Sequence, residues 1–259
     1  MTSASATHSI DTTIAPDIAT ASDDYSRRFS GPVGDYFLER QNSIICSMLP
    51  DSGKSLKILE VGGGHLQITP FLLALGHEVH VHGSSKEALH RFDALKKEHP
   101  EHLQQIISPL SSLPYPDRHF DVVIGIRLMA HCDDWKDVLG EMCRLSRGQV
   151  IIDYPPESSF NLLYPLLYRF KQKAEGNTRP FLRFSPQVLH DFLKERSFLE
   201  LQEEREFFLP MVLHRFLKQR RFSELSEGLA QSLGITKILG SPVILCANFL
   251  VESLIQSQL

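Results

Sequence analysis

The chain has 259 residues, 42% of them apolar and 22% charged, with a formal net charge of −4, which fits a globular protein built around one large domain. That balance gives no drive toward nucleic acid or an anionic membrane, and no apolar run reaches the ~18 residues of a membrane span. The four cysteines, Cys46, Cys132, Cys143 and Cys246, lack CxxC spacing and read as reduced thiols of a cytoplasmic protein, not as a disulfide framework or a zinc site.

Residues 1–23 are rich in Ser, Thr and Ala and poor in large apolar side chains. They carry no basic-then-apolar secretory pattern, and they are expected to form a disordered arm. Residues 24–259 are expected to form a single domain. Apolar residues at helical spacing predict a helix over about Asp35 to Leu49, and Pro50-Asp-Ser-Gly53 ends it. Lys57-Ile-Leu-Glu-Val61 reads as a first strand and Gln67 to Leu75 as a helix. Glu78-Val-His-Val-His82 alternates and reads as a second strand. That alternation accounts for the histidines at 77, 80 and 82 without a metal, and no metal site is assigned. Lys86 to Glu98 reads as helix and Leu103 to Ile107 as a third strand. Phe120 to Ile126 is a nearly unbroken apolar run, as a strand buried on both faces requires. Asp133 to Leu145 is an amphipathic helix and Gln149 to Asp153 a fifth strand. Strands alternating with helices predict a parallel sheet with right-handed crossovers.

The pattern changes after residue 154. An aromatic, apolar stretch from Phe160 to Phe170 precedes a basic loop carrying Lys171, Lys173, Arg179 and Arg183. Ser185-Pro186 starts a helix that runs to about Arg196. Phe198 to Phe208 reads as strand, Met211 to Leu233 as largely helical, and Val243 to Val251 as a last strand. The segments at about 155–184 and 209–236 are expected to be helical insertions on a substrate side.

Three consecutive glycines, Gly62 to Gly64, follow the first strand and precede a helix, where a backbone turn can approach a nucleotide-like ligand. Other motifs stand around this turn in a fixed order. They are Leu59-Glu-Val-Gly-Gly-Gly64, Gly76-His-Glu-Val79, Leu113-Pro-Tyr-Pro-Asp117 with Phe120-Asp-Val-Val-Ile124, Cys143-Arg-Leu-Ser-Arg-Gly148, and Phe184-Ser-Pro-Gln-Val-Leu189. In this order the chain resembles the class I S-adenosylmethionine-dependent methyltransferases of small-molecule type, over about 24–154, 185–208 and 242–251.

The resemblance implies a Rossmann-like α/β fold: a seven-stranded sheet, mostly parallel with an antiparallel last strand, with helices on both faces. It implies S-adenosyl-L-methionine across the carboxyl ends of the first, second and fourth strands, the cofactor carboxylate being favoured by a helix N-terminus. Gly62, Gly63, Gly64 and His65 would approach the cofactor, Glu60 would lie beside its positive charge, and Gly83 and Ser84 would meet it at the end of the second strand. Arg127 would face the cofactor or a substrate acid, or form a surface salt bridge. His131 is either a general base for a phenol or enol or a packing residue. Tyr25 closes over the cofactor or simply packs. Tyr154 and Tyr164 are candidates for the substrate side. The expected activity is methyl transfer to an O, N or C nucleophile of a small apolar or aromatic molecule, by a monomer or homodimer without nucleic-acid partners or stable membrane insertion.

Three positions depart from the family pattern. Leu66 replaces a third glycine, Gly83 replaces the acid that holds the ribose hydroxyls, and Pro109 replaces an acid near the adenine. Losing a charged acceptor at position 83 costs about 1.5–3 kcal/mol. These departures keep a second reading open, a methyltransferase-like binding or regulatory subunit with a degenerate cofactor site. A nicotinamide-dependent dehydrogenase is disfavoured, because both the third fingerprint glycine and the ribose acid are missing.

Overall fold

The structure, a computed structural model, describes residues 15–51, 53–159 and 181–250. Seven strands, β1 (Lys57–Glu60), β2 (Glu78–Gly83), β3 (Leu103–Ile107), β4 (Phe120–Gly125), β5 (Ser146–Tyr154), β6 (Phe198–Phe207) and β7 (Ser241–Phe249), form one sheet of order β3-β2-β1-β4-β5-β7-β6. The β1, β2, β3, β4 and β5 pairings are parallel, and β7 runs antiparallel to both β5 and β6. The expected Rossmann-like sheet with an antiparallel last strand is present.

Apolar residues along the central strands point alternately to two cores. On one face Ile58, Val122, Ile124, Ile151 and Ile244 pack with α3 (Gly31–Met48), α4 (Thr69–Ala74) and α5 (Phe92–Glu98). On the other, Leu59, Val123, Val150, Ile152 and Leu245 pack with α6 (Trp135–Leu145) and α7 (Pro186–Lys194). No helix among the described residues is long and apolar enough to cross a membrane.

Three expectations need correction. First, residues 15–23 were expected in a disordered arm, yet α1 (Pro16–Ala21) forms and leads into α2 (Asp23–Ser26). Asp17 and Ala21 are fully buried there, so tertiary contacts hold a segment that its composition would leave unfolded. The rest of the arm, 1–14, lies outside the described residues. Second, the helix expected from Lys86 begins only at Phe92. Residues before it are pinned in a turn, with the Ala88 carbonyl against Gly64 and the Leu89 side chain against Gly83. Third, the helix expected over 211–233 is interrupted. It forms α8 (Met211–Leu217), ended by Lys218 in the left-handed region at φ 54°, then α9 (Arg220–Ser232) and α10 (Ile235–Leu239).

Helix α9 is inverted relative to an ordinary surface helix. It buries Ser223, Glu227 and Ala230 and exposes Phe222, Leu225 and Leu229, Leu225 at 75%. The buried Glu227 explains the orientation. Its carboxylate accepts the backbone N–H groups of Phe208 (2.7 Å) and Leu209 (2.9 Å) and bonds His214 Nε2 at 2.9 Å. Satisfying those donors offsets the cost of leaving an apolar stripe in water.

Candidate functional site

Strand β1 ends at Glu60, and the chain turns through Gly62 in the left-handed region (φ 66°) into a 3-10 turn, Gly63–His65. An L side chain at Gly62 would be strained. Close approach sets the other two glycines. A Cβ on Gly63 would lie 2.5 Å from the Glu60 side chain, and one on Gly64 would overlap the Ala88 carbonyl oxygen and sit 2.7 Å from its carbon. Leu66, where the family has a glycine, is also left-handed (φ 52°), and its N–H bonds Gly63 O at 2.9 Å. Its side chain packs against the core beneath α3 and α4, so this departure puts no bulk over the turn. It carries the strain of a non-glycine left-handed residue, of order 1 kcal/mol.

Glu60 is fully buried beneath the turn. Its Oε2 accepts the Thr69 hydroxyl, and its Oε1 has no hydrogen-bond partner. Burial pushes its carboxyl up to about 8, the Thr69 bond opposing this. A carboxyl raised in the folded state contributes stability that is complete below its unfolded value near 4.5 and lost as pH rises through about 8. Glu60→Gln is therefore expected to match the parent near pH 5 and to exceed it by a few kcal/mol near pH 9. Urea denaturation at both pH values measures this. A variant less stable than the parent at pH 9 would mean that the ionised carboxylate has a partner.

His65 joins the turn to the end of β4. Its Nε2 lies 3.2 Å from Ile126 O, and its Nδ1 accepts Gln67 N–H at 3.2 Å. Burial, helped by Arg127, holds the ring down to about 4, so it stays neutral. It acts here as a strut of the turn.

At the end of β2, Gly83 has no room for a carboxylate, because a Cβ there would meet Leu89 Cγ at 2.6 Å. An acid nevertheless reaches this point from elsewhere in the chain. Asp17 of α1 accepts Ser84 N–H at 2.6 Å and Ser84 Oγ–H at 2.7 Å. Helix α1 thus lies over the glycine turn. Near Pro109, the buried His82 ring bonds Ser108 O at 2.8 Å through Nε2.

Arg127 sits neither on the surface nor in a surface salt bridge. It is buried just past β4 with φ 60°. Its N–H donates to Asp153 Oδ1 at 2.5 Å, its Nη2 donates to Gln41 Oε1 at 2.7 Å, and its guanidinium stacks 3.7 Å from the Phe29 ring centroid. Burial raises the Asp153 carboxyl to about 6 and the Glu206 carboxyl to about 8, and Arg127 opposes both shifts. This cluster at the ends of β4, β5 and β6 was missed in the sequence. The one available signal was Asp153 closing an otherwise apolar strand.

His131 ends a short 3-10 turn, Met129–His131. Leu128, just before that segment, is the side chain nearest a Cβ at Gly62, at 3.0 Å. Tyr25 packs 5.6 Å from the Phe29 ring, under Arg28. Tyr154 is fully buried, with its hydroxyl donating to Glu203 Oε1 at 2.6 Å, and in this structure it is a core residue with no face open to substrate. Tyr164, the aromatic stretch 160–170 and the basic loop through Arg179 lie outside the described residues.

Residues 59–152, running from the first strand to the fifth, match the family described as a methyltransferase domain. This segment is a methyltransferase domain. No curated protein matches the chain in sequence. The methyltransferase fold extends beyond the matched segment. The magnesium protoporphyrin IX methyltransferase of Synechocystis PCC 6803, solved with SAH bound, superposes with a TM-score of 0.62 at 13% identity, covering 93% of this chain and all (100%) of that one. A SAM-dependent methyltransferase of Thermotoga maritima gives 0.58 at 18% identity, covering 87% and 94%. The 1,6-didemethyltoxoflavin-N1-methyltransferase of Burkholderia thailandensis, bound to 1,6-didemethyltoxoflavin and S-adenosylhomocysteine, gives 0.53 at 15%, covering 83% and 79%. Likeness at such identity concerns the fold, and roles for individual residues rest on the geometry above.

Proposed function

We propose that the protein transfers a methyl group from S-adenosyl-L-methionine to an O, N or C nucleophile of a small apolar or aromatic molecule. The observation that carries this reading is the left-handed glycine turn at the carboxyl end of β1, within a methyltransferase domain. The residues suit the cofactor in two respects. A buried carboxyl at Glu60, with one oxygen unpartnered, favours a nearby cation, and Ser84 places an N–H and a hydroxyl at the end of β2, both held here by Asp17. The cofactor, when bound, supplies a methyl group already activated on a sulfonium. The chain's share is positioning and exclusion of water. Gly62, Gly63 and Gly64 set the turn, His65 braces it, Gly83 and Ser84 border it, and Arg127 fixes the ends of β4 and β5. His131 is the candidate base by residue type, histidine being the side chain most often used for proton transfer.

An apolar acceptor is favoured by the face left open on α8 to α10. Phe207 at the end of β6 pairs with Ser241 at the start of β7, which also pairs with the end of β5, so these helices connect at the same end of the sheet as the glycine turn. Phe216, Leu225, Leu229, Leu233 and Ile238 are all exposed on these helices, and exposed apolar side chains of this number suit contact with apolar molecules. The alternative, a binding subunit without methyl transfer, is favoured by the cover that α1 lays on the turn.

Thermal unfolding with added ligand tests the reading. S-adenosylhomocysteine at 100 times its Kd should stabilise the protein by about 2.7 kcal/mol, and NAD at the same concentration should not. Absence of any shift with millimolar S-adenosylmethionine or S-adenosylhomocysteine, in folded protein, would sink the proposal. Binding without transfer to any acceptor tested would favour the subunit reading.

A further inference from the structure

The glycine turn is the place for a ligand, yet Gly62, Gly63 and Gly64 are all buried by the protein itself. Helix α1 is part of the cover, beside Leu128 and Ala88. Positions where side chains would grow from Gly62 and Gly64 lie 3.4 Å from Asp17 Cβ and 3.2 Å from Ala21 Cβ. These are packing distances that leave no layer for a ligand between helix and turn. Asp17, fully buried, takes both donors of Ser84 at the end of β2. That turn and the end of β2 are where the proposed cofactor would lie.

We propose that α1 is a built-in competitor of the cofactor. It fills the cofactor cleft of the resting protein, with the Asp17–Ser84 pair as its latch, and it leaves when the cofactor enters. The proposal rests on the methyltransferase reading above and adds a means of controlling it.

The construction of α1 suits an element that detaches. The helix has six residues and no side-chain cap at its N-terminus, too short to persist by itself. Of its three buried residues, Asp17 and Thr20 are polar and Ala21 is small, so little apolar area holds it down. Polar clamps do most of the holding. Besides Asp17, the Arg91 guanidinium donates to Ala21 O and to Asp23 Oδ1, and Asp23 is largely exposed. Such a segment opens at low cost while the sheet stays closed. Because only the open fraction accepts ligand, the apparent dissociation constant equals the intrinsic one divided by that fraction. Weakening the latch then tightens cofactor binding, the reverse of what mutating a ligand-contacting residue does.

Isothermal titration of the full chain with S-adenosylhomocysteine tests this, comparing the parent with Asp17→Ala and with the size-matched Asp17→Asn. Both variants are expected to bind about tenfold tighter or more. Hydrogen exchange on the parent needs no variant: adding S-adenosylhomocysteine should speed exchange at residues 17–21 while slowing it at 62–65. Weaker binding by the Asp17 variants would overturn the proposal and make Asp17 a ligand of the cofactor. Unchanged affinity, or amides of α1 that stay protected in the bound protein, would overturn it while leaving the methyltransferase reading intact. If neither parent nor variants bind, both readings fall.

Discussion

Replacing Gly64 with alanine is expected to destabilise the fold by about 4 kcal/mol or more, a loss reserved for severe steric conflict. The new methyl group would overlap the Ala88 carbonyl oxygen and stand 2.7 Å from the carbonyl carbon, with Ala21 Cβ at 3.2 Å on the other side. The first two neighbours are backbone atoms, so no rotamer change relieves the overlap. Either the glycine turn or the segment between β2 and α5 has to move, and both border the cleft. Gly228→Ala on α9 is the control. Nothing lies within 4 Å of the added carbon there, and alanine should gain about 0.5–1 kcal/mol from helix propensity. Guanidinium denaturation of both variants measures the difference. A Gly64→Ala loss below 1 kcal/mol would show that residues 84–91 yield readily.

Arg127→Leu is expected to cost about 3–5 kcal/mol near pH 8, the range for stripping one partner from a buried ionic group. The guanidinium leaves Gln41 Oε1 without its donor and removes the cation facing Asp153 and Glu206. The sign of the pH dependence follows from those two carboxyls. In the parent they titrate near 6 and 8 with Arg127 present, and without it both rise further. The variant then loses stability relative to the parent as pH climbs from 5 to 8, and the deficit is smallest at pH 5, where both carboxyls are neutral. Arg127→Lys should fall between, keeping the charge and losing the planar contact on Phe29. Denaturant midpoints at pH 5 and pH 8 report the effect. A deficit independent of pH would assign the loss to packing and to the left-handed backbone at this position.

Much of the sheet was legible because its signal is local. Ile58-Leu59, Val122-Val123-Ile124 and Val150-Ile151-Ile152 are short apolar runs bounded by turn residues, and each became a buried strand. The glycine turn was legible for the same reason. Features set by distant contacts were not. Nothing in the composition near Asp17 says that its carboxylate meets Ser84 across the fold, so a buried helix read as a loose arm. Lys86 to Glu98 has helical periodicity throughout, yet Ala88 and Leu89 are held in a turn by Gly64 and Gly83. Glu206 belongs to a strand crowded with charges, and the cation that opposes the rise of its carboxyl, Arg127, comes from the loop after β4. Gly83 read as a missing acid, whereas the structure fills that place with Leu89 and brings an acid from α1.

The position of β7 has a consequence for synthesis. Among the described strands β6 pairs only with β7, which is translated some thirty residues later and slots between two strands already made. A growing chain that has released β1 to β5 can assemble the parallel half, because those strands pair with one another. It cannot dock β6 until Ser241–Phe249 has emerged. During that interval β5 presents an open, apolar edge, the kind of surface that recruits chaperones or neighbouring chains. Closure of the sheet is thereby postponed until translation has passed Phe249.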